Sequence, residues 1–305
     1  MYKILIAPTS FGKISSAPID LLKKNNCELI FNDKGRKFTI EELIEYIKDC
    51  DGVIAGTESY NLEVLNSNNK LKAISRLGVG IDNIDIVELK KRRLSLFTTK
   101  TTPELAVAEL TIGLMFDLLR KISKSNNNLK NNIWNKEMGS LLSHKTVGII
   151  GLGKIGKKII DLLNAFNIKF LVYDLDPDIE FCKMNKCKIT NLDSLLKNSD
   201  IISIHTNSSK ENSNLINKEK LKLMKTTSLF INTARGDLVD EKSLIDAIEK
   251  KQIYGAALDV FADEPYYGNL INFDNVILTP HIGAYAGEVR LKMEIEASEN
   301  LIKFL

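Results

Sequence analysis

A chain of 305 residues is long enough for two domains of ordinary size. It is 44% hydrophobic and 27% charged, and a formal net charge of +3 gives no concentrated basic face of the kind nucleic-acid binding needs. Met1 leads straight into the apolar run Ile4-Leu5-Ile6-Ala7 rather than a secretory leader, and no stretch approaches the roughly 20 apolar residues that cross a bilayer. A cytoplasmic protein that binds neither membrane nor nucleic acid is expected. The four cysteines, Cys27, Cys50, Cys182 and Cys187, are scattered without metal-ligand spacing, so reduced thiols and no metal site are expected.

In chain order, Ile4–Ala7, Val53–Ala55, Ala73–Ser75 and Leu94–Phe97 read as strands. Ile40–Ile47 has helical spacing, and Asn61–Leu65 reads as a short helix. Pro103–Lys124 follows as a long helix, with Pro103 suited to its first turn and Glu104 to the positive end of its dipole. Ser125–Asn132, rich in Asn and Lys, reads as a helix end and loop. A second strand series comprises Val147–Ile150, Phe170–Tyr173, Ile201–Ile204, Leu229–Ile231, Gly255–Leu258 and Val276–Leu278. These runs are almost wholly apolar rather than alternating, as strands covered by helices on both faces require. Ala286–Leu305 reads as one amphipathic helix that returns to pack on the N-terminal domain. The fold class is therefore α/β with parallel sheets. The expected domains are residues 1–98 with 286–305, and the inserted residues 99–285.

The sharpest local signal is Gly151-Leu152-Gly153-Lys154-Ile155-Gly156, between an apolar strand and a helix. Gly151 permits the tight turn, Gly153 lets the backbone approach a pyrophosphate, and Gly156 lets helix and strand pack closely. The helix-start amides then face the phosphate charge. Asp174 ends the next strand, where a carboxylate accepts hydrogen bonds from ribose hydroxyls and repels a 2′-phosphate. Leu175 and Asp176 supply no compensating arginine, so NAD is favoured over NADP.

Three further motifs follow in order: Phe230 to Gly236, containing Asn232-Thr233-Ala234-Arg235; Ala257 to Pro265, containing Asp259 and Glu264; and Leu278 to Gly283, containing His281. With the glycine-rich turn, they resemble the D-isomer-specific 2-hydroxyacid dehydrogenases, over almost the whole chain and with motif order and spacing preserved. The resemblance implies two Rossmann-like domains, a flavodoxin-like one for substrate and one for NAD, with an interdomain cleft. It implies Arg235, Glu264 and His281 as the catalytic triad. It implies that Asp259 holds the nicotinamide carboxamide and that Thr233, Ala234, Arg235, His281, Gly283 and Ala284 line the cofactor. It also implies a homodimer in which the Pro103–Lys124 helix lies near the two-fold axis.

The chemistry suits these residue types. An arginine fork binds a 2-keto acid's carboxylate in fixed geometry and polarises the adjacent carbonyl. A histidine exchanges the proton that the resulting alkoxide needs, and a carboxylate beside it fixes the ring. His205 lacks the proline that shortly follows it in the family, and it reads as structural or near the cofactor rather than as the acid.

On the substrate side, Arg76-Leu77-Gly78-Val79-Gly80 resembles the family's substrate loop, whose glycines let backbone amides meet a carboxylate. An arginine at position 76 is found in phosphoglycerate dehydrogenases, where it contacts the substrate phosphate. 3-Phosphoglycerate or a close anionic analogue is thus the expected substrate, with glyoxylate or hydroxypyruvate as the alternative. Pairing of Arg76 with a nearby acid is the competing structural reading. Two departures are Thr57-Glu58, where many phosphoglycerate dehydrogenases carry another basic residue, and Thr98, where the family often has Asn. With the last residue at Leu305, the regulatory domains of longer phosphoglycerate dehydrogenases are not expected. An NAD(H)-sensing corepressor-like protein of the same fold is the alternative from another class, separated by turnover.

Overall fold

A computed structural model describes residues 1–305. The chain divides into two units, Met1–Pro103 with Tyr285–Leu305, and Glu104–Ala284. Each is built on one wholly parallel sheet. No helix is long and apolar enough to cross a membrane.

The first unit contains β1 (Tyr2–Ile6), β2 (Cys27–Phe31), β3 (Gly52–Ala55), β4 (Ala73–Arg76) and β5 (Ser95–Thr98), in the flavodoxin-like order β2-β1-β3-β4-β5. Its strands are apolar on both faces because both are covered. Leu5, Val53 and Ile74 pack with Leu43 and Ile47, while Ile4, Ile6 and Ile54 pack with Met293, Ala297 and Leu301. Leu43 and Ile47 belong to the helix Ile40–Ile47, whose start is fixed by a capping box. Glu42 N–H donates to Thr39 Oγ1, and Thr39 N–H donates to the Glu42 carboxylate. The other three belong to the last helix, Gly287–Phe304. That helix is keyed to the sheet by Ser75 Oγ donating to the Ala297 carbonyl at 2.8 Å. Glu294, fully buried, accepts from Gly12 N–H and Arg290 Nε.

The second unit contains β6 (Thr146–Ile150), β7 (Lys169–Tyr173), β8 (Lys188–Ile189), β9 (Ile201–Ile204), β10 (Leu229–Asn232), β11 (Gly255–Leu258) and β12 (Val276–Leu278), in the order β12-β11-β10-β9-β6-β7-β8. This is the dinucleotide-binding order with one added strand. The strand order reverses between β6 and β9, so the loops after these two strands open the crevice where ligands bind in such sheets.

Several features depart from the sequence reading. β2 and β8 have no counterpart in it; both are edge strands, and the exposed Glu28 of β2 and Lys188 of β8 leave no continuous apolar run. The 125–132 loop is corrected. The long helix Glu104–Arg120 ends at Lys121, whose φ is 54°, and a second helix, Ile122–Lys130, starts there. Its first turn is held by Ser123 N–H donating to Asp117 at 2.7 Å, and no residue of it is buried, so no apolar period marks it. The units divide at 103/104 and 284/285, where the sequence reading expects boundaries at about 98/99 and 285/286.

Candidate active site

Five strands of the second unit, β6, β9, β10, β11 and β12, are neighbours and parallel, so the loops after them emerge along one sheet edge. The sequence-predicted residues of this unit sit on those loops. The Gly151 turn follows β6, His205 follows β9, Thr233 to Arg235 follow β10, Asp259 to Glu264 follow β11, and Thr279 to Ala284 follow β12.

The pairing continues past the strand ends: Asp259 N–H donates to the Asn232 carbonyl and Thr279 N–H to the Leu258 carbonyl. Asn232 holds the next loop at two points. Its Nδ2 donates to the Arg235 carbonyl at 2.8 Å, and its Oδ1 accepts from Ala234 N–H at 3.0 Å. Thr233 Oγ1 meets Thr111 Oγ1 at 2.9 Å, tying this loop to the helix Glu104–Arg120. Gly236 brings the β10 and β11 loops together, since a Cβ there would lie 2.0 Å from the carbonyl carbon of Phe261. Arg235 is half-buried, with Nη1 donating to the Ala234 carbonyl.

Glu264 and His281 meet directly. Nδ1 of His281 lies 2.9 Å from Oε2 and 3.1 Å from Oε1 of Glu264. A carboxylate can only accept here, so Nδ1 carries the proton and Nε2 is the ring's other, exchangeable position. Glu264 Oε1 also accepts from Phe261 N–H at 3.2 Å, which holds the carboxylate over its own loop. His281 has φ 55°, an uncommon left-handed conformation for a residue with a side chain, of the kind that collects at functional sites.

Asp259 fixes the β12 loop. It has no exposed surface, and its carboxylate accepts from Thr279 Oγ1, Ile282 N–H and Gly283 N–H, the two amides at 2.8 Å. Burial pushes its pKa up, against the pull of these donors. The resemblance assigns this side chain to the nicotinamide carboxamide; within the protein it positions the loop that carries His281. His205 is buried with Nε2 2.7 Å from Ser203 Oγ, and burial pushes its pKa down to about 3. It is a neutral imidazole at ordinary pH, unsuited to deliver a proton.

The glycine-rich turn fits a dinucleotide. Gly151 has φ 96°, and a Cβ there would sit 2.6 Å from the His205 carbonyl oxygen. A Cβ on Gly156 would lie 2.3 Å from the Gly151 carbonyl oxygen, so the helix Lys154–Leu163 starts hard against the turn. Gly153 is the N-cap of that helix, gives its amides no side-chain cap, and has open space where a Cβ would stand. Exposed Gly153 and Lys154 thus present uncapped amides suited to a pyrophosphate, with Ile155 half-buried behind them. Asp174, half-buried at the end of β7, accepts from Leu152 N–H at 2.6 Å through Oδ2 and from Asp176 N–H through Oδ1. It therefore braces the turn it was expected to serve.

In the first unit, Arg76 ends β4. Leu77 N–H donates to the Ala55 carbonyl and Gly78 N–H to the Arg76 carbonyl. The amides of Val79 and Gly80 have no protein acceptor, and Val79 is exposed. Gly78 has φ 148°, and a Cβ on it would lie 3.0 Å from Arg76 Nη1, so the guanidinium is folded against its own loop. Sequence reasoning passed over Asn232, Gly236 and Thr279; all three stood in the motifs, but only the spatial pairing of the loops gives them roles.

Residues 112–283, more than half of the chain, match the family model of the D-isomer specific 2-hydroxyacid dehydrogenase NAD-binding domain. A glyoxylate reductase of Thermofilum pendens is 39% identical over 294 residues, covering 92% of this chain and 86% of the relative. A D-3-phosphoglycerate dehydrogenase of Synechocystis is 33% identical over 305 residues, and the match takes in 99% of this chain but only 54% of that protein. Among solved structures, the TT0316 protein of Thermus thermophilus aligns with a TM-score of 0.87 at 28% identity, covering 98% of this chain and 95% of that one. The cofactor is NAD. The chain belongs to the family of NAD-dependent D-isomer-specific 2-hydroxyacid dehydrogenases.

Proposed function

We propose that the chain interconverts a small 2-keto acid and its D-2-hydroxy acid, with Arg235, Glu264 and His281 as the catalytic residues. The carrying observation is the Glu264–His281 pair, held on the loops after β11 and β12, beside the Arg235 loop that Asn232 and Gly236 hold in place. NAD, when bound, accepts or supplies the hydride. The Arg235 guanidinium holds the substrate carboxylate and polarises the neighbouring carbonyl. His281 gives a proton from Nε2 to the carbonyl oxygen during reduction and takes it back during oxidation, while Glu264 retains Nδ1–H and balances the ring's charge. The unengaged amides of Val79 and Gly80 suit a substrate carboxylate, with Leu77 and Gly78 holding their loop in shape. Lys154, Ile155, Gly283 and Ala284 are cofactor contacts in this reading, with Asp174 at the ribose.

Two substrate readings remain within this class. Arg76 is the sequence argument for 3-phosphoglycerate and 3-phosphohydroxypyruvate. Glu58, a buried acid on the loop after the adjacent strand β3, is the argument for glyoxylate or hydroxypyruvate. NADH oxidation over 3-phosphohydroxypyruvate, hydroxypyruvate, glyoxylate and pyruvate tests the proposal. Turnover with at least one is expected, and NADH binding without turnover of any would return the chain to the sensor class.

We also propose a cytoplasmic homodimer. The four cysteines are free thiols. Ile122, Leu129, Ile133, Trp134, Met138 and Leu141, all within one stretch of twenty residues, leave more than half of their surface exposed, apolar area suited to burial against a second copy. Trp134 is the chain's single tryptophan. Sedimentation should give a dimer, and Trp134→Asp should shift it toward monomer; a monomeric wild type would contradict this.

A further inference from the structure

The adjacent loops after β3 and β4 carry a buried acid, Glu58, and the arginine expected to meet a phosphate, Arg76. Ala55 and Arg76 are register partners at the ends of these adjacent strands. Beyond Ala55, the Glu58 side chain turns back over its own loop, and Oε2 accepts from Gly56 N–H at 2.9 Å. Position 56 admits no side chain in this arrangement, because a Cβ there would lie 2.7 Å from that oxygen. Asn83 clamps the loop by donating from Nδ2 to the carbonyls of Gly56 and Glu58. Glu58 is left 3% exposed. Burial raises its pKa, and the positive charges of Arg76 and Lys37 act in the opposite direction. The Arg76 guanidinium is packed against Gly78 and donates from Nη1 to the Leu77 carbonyl.

We propose that Glu58 is a specificity-determining residue that selects 2-keto acids carrying no phosphate, by setting a buried carboxylate on the loop next to Arg76, within the field of the arginine expected to meet a phosphate. This rests on the dehydrogenase reading above and narrows its substrate class. A phosphate dianion needs cationic donors whose charge is not already balanced. Here a dianion approaching Arg76 meets a buried carboxylate in the same field, and such repulsion discriminates between ligands as effectively as a lost contact. A merely structural Glu58 would affect all substrates alike, whereas a charge partner of Arg76 affects their ratio.

The test compares kcat/KM for hydroxypyruvate and 3-phosphohydroxypyruvate in the wild type and in Glu58→Gln, which keeps the shape and an acceptor for Gly56 N–H. The wild type should favour hydroxypyruvate at least tenfold. Glu58→Gln should raise kcat/KM for the phosphorylated substrate about tenfold while leaving hydroxypyruvate within about threefold, and adding Arg76→Met should remove the gain. Wild-type preference for the phosphorylated substrate would overturn the proposal without any variant, as would an equal loss for both substrates in Glu58→Gln. Calorimetric binding of 3-phosphoglycerate to the NAD-loaded proteins reads the same selectivity without turnover. Affinity gained in Glu58→Gln supports the proposal, and equal affinity in both overturns it, even if absent turnover has already contradicted the catalytic reading.

Discussion

Both carboxylate oxygens of Glu264 reach Nδ1 of His281, at 3.1 and 2.9 Å. The two residues stand on loops after neighbouring strands, and each is held by contacts other than their own: Glu264 by Phe261 N–H, His281 by the turn from Thr279. The pair is therefore pre-set by the sheet edge rather than assembled from flexible side chains, which is what a proton relay at a fixed carbonyl requires.

The loop bearing His281 hangs on Asp259. Asp259→Asn exchanges one of the two oxygens for a donor, leaving at least one of Thr279 Oγ1, Ile282 N–H and Gly283 N–H without its acceptor. Each such buried group costs about 1–3 kcal/mol. The expected outcome is a lower melting temperature together with at least a tenfold fall in kcat, followed by thermal unfolding and steady-state kinetics. Unchanged stability with kcat within twofold of wild type would show that this carboxylate does not position the loop.

Asp174 has two duties, and its removal should reveal both. Asp174→Ala should relax discrimination against NADP, because the carboxylate that repels a 2′-phosphate is gone. It should also weaken NAD itself by roughly tenfold, since loss of one charge-assisted hydrogen bond, here to Leu152 N–H, is worth about 1.5 kcal/mol. Dissociation constants for NADH and NADPH check this. An unaltered ratio would remove the ribose assignment, and unaltered NADH affinity would remove the bracing role.

His205 makes stability depend on pH. Its folded-state pKa is lowered to about 3, whereas an unfolded histidine titrates near 6.5. Between these values the unfolded chain binds more protons, so stability rises with pH across the window and is lost as pH falls through it. At pH 5 the loss from this group is about 2 kcal/mol. His205→Gln should flatten the fall in melting temperature between pH 7.5 and 5. Equal slopes in variant and wild type would contradict the buried neutral imidazole.

Much of this architecture was legible because strands buried on both faces spell apolar runs. Ile201–Ile204, Gly255–Leu258 and Val276–Leu278 match the sequence reading to the residue. Where burial is partial the signal fades: β2 at a sheet edge and the unburied helix Ile122–Lys130 escape the pattern for that reason. The site residues of the second unit were legible as motifs because each follows a strand end, and the shared edge is a consequence of parallel order. What the motifs could not reveal is which side chains a residue spends itself on. Thr57-Glu58 could be read only as a departure from the family, since nothing in linear order tells that the Glu58 carboxylate closes over Gly56 within the field of Arg76. Likewise Asp259 is engaged by the neighbouring loop after β12 in a way only the fold discloses.

Whether His281 moves the proton is read most directly from kcat for 2-keto-acid reduction set beside the NADH dissociation constant in His281→Gln. kcat should fall by about 10²–10⁴, the usual worth of a positioned general acid, while NADH affinity stays within about threefold. Equal losses in both quantities, or a kcat close to that of the wild type, would contradict that role.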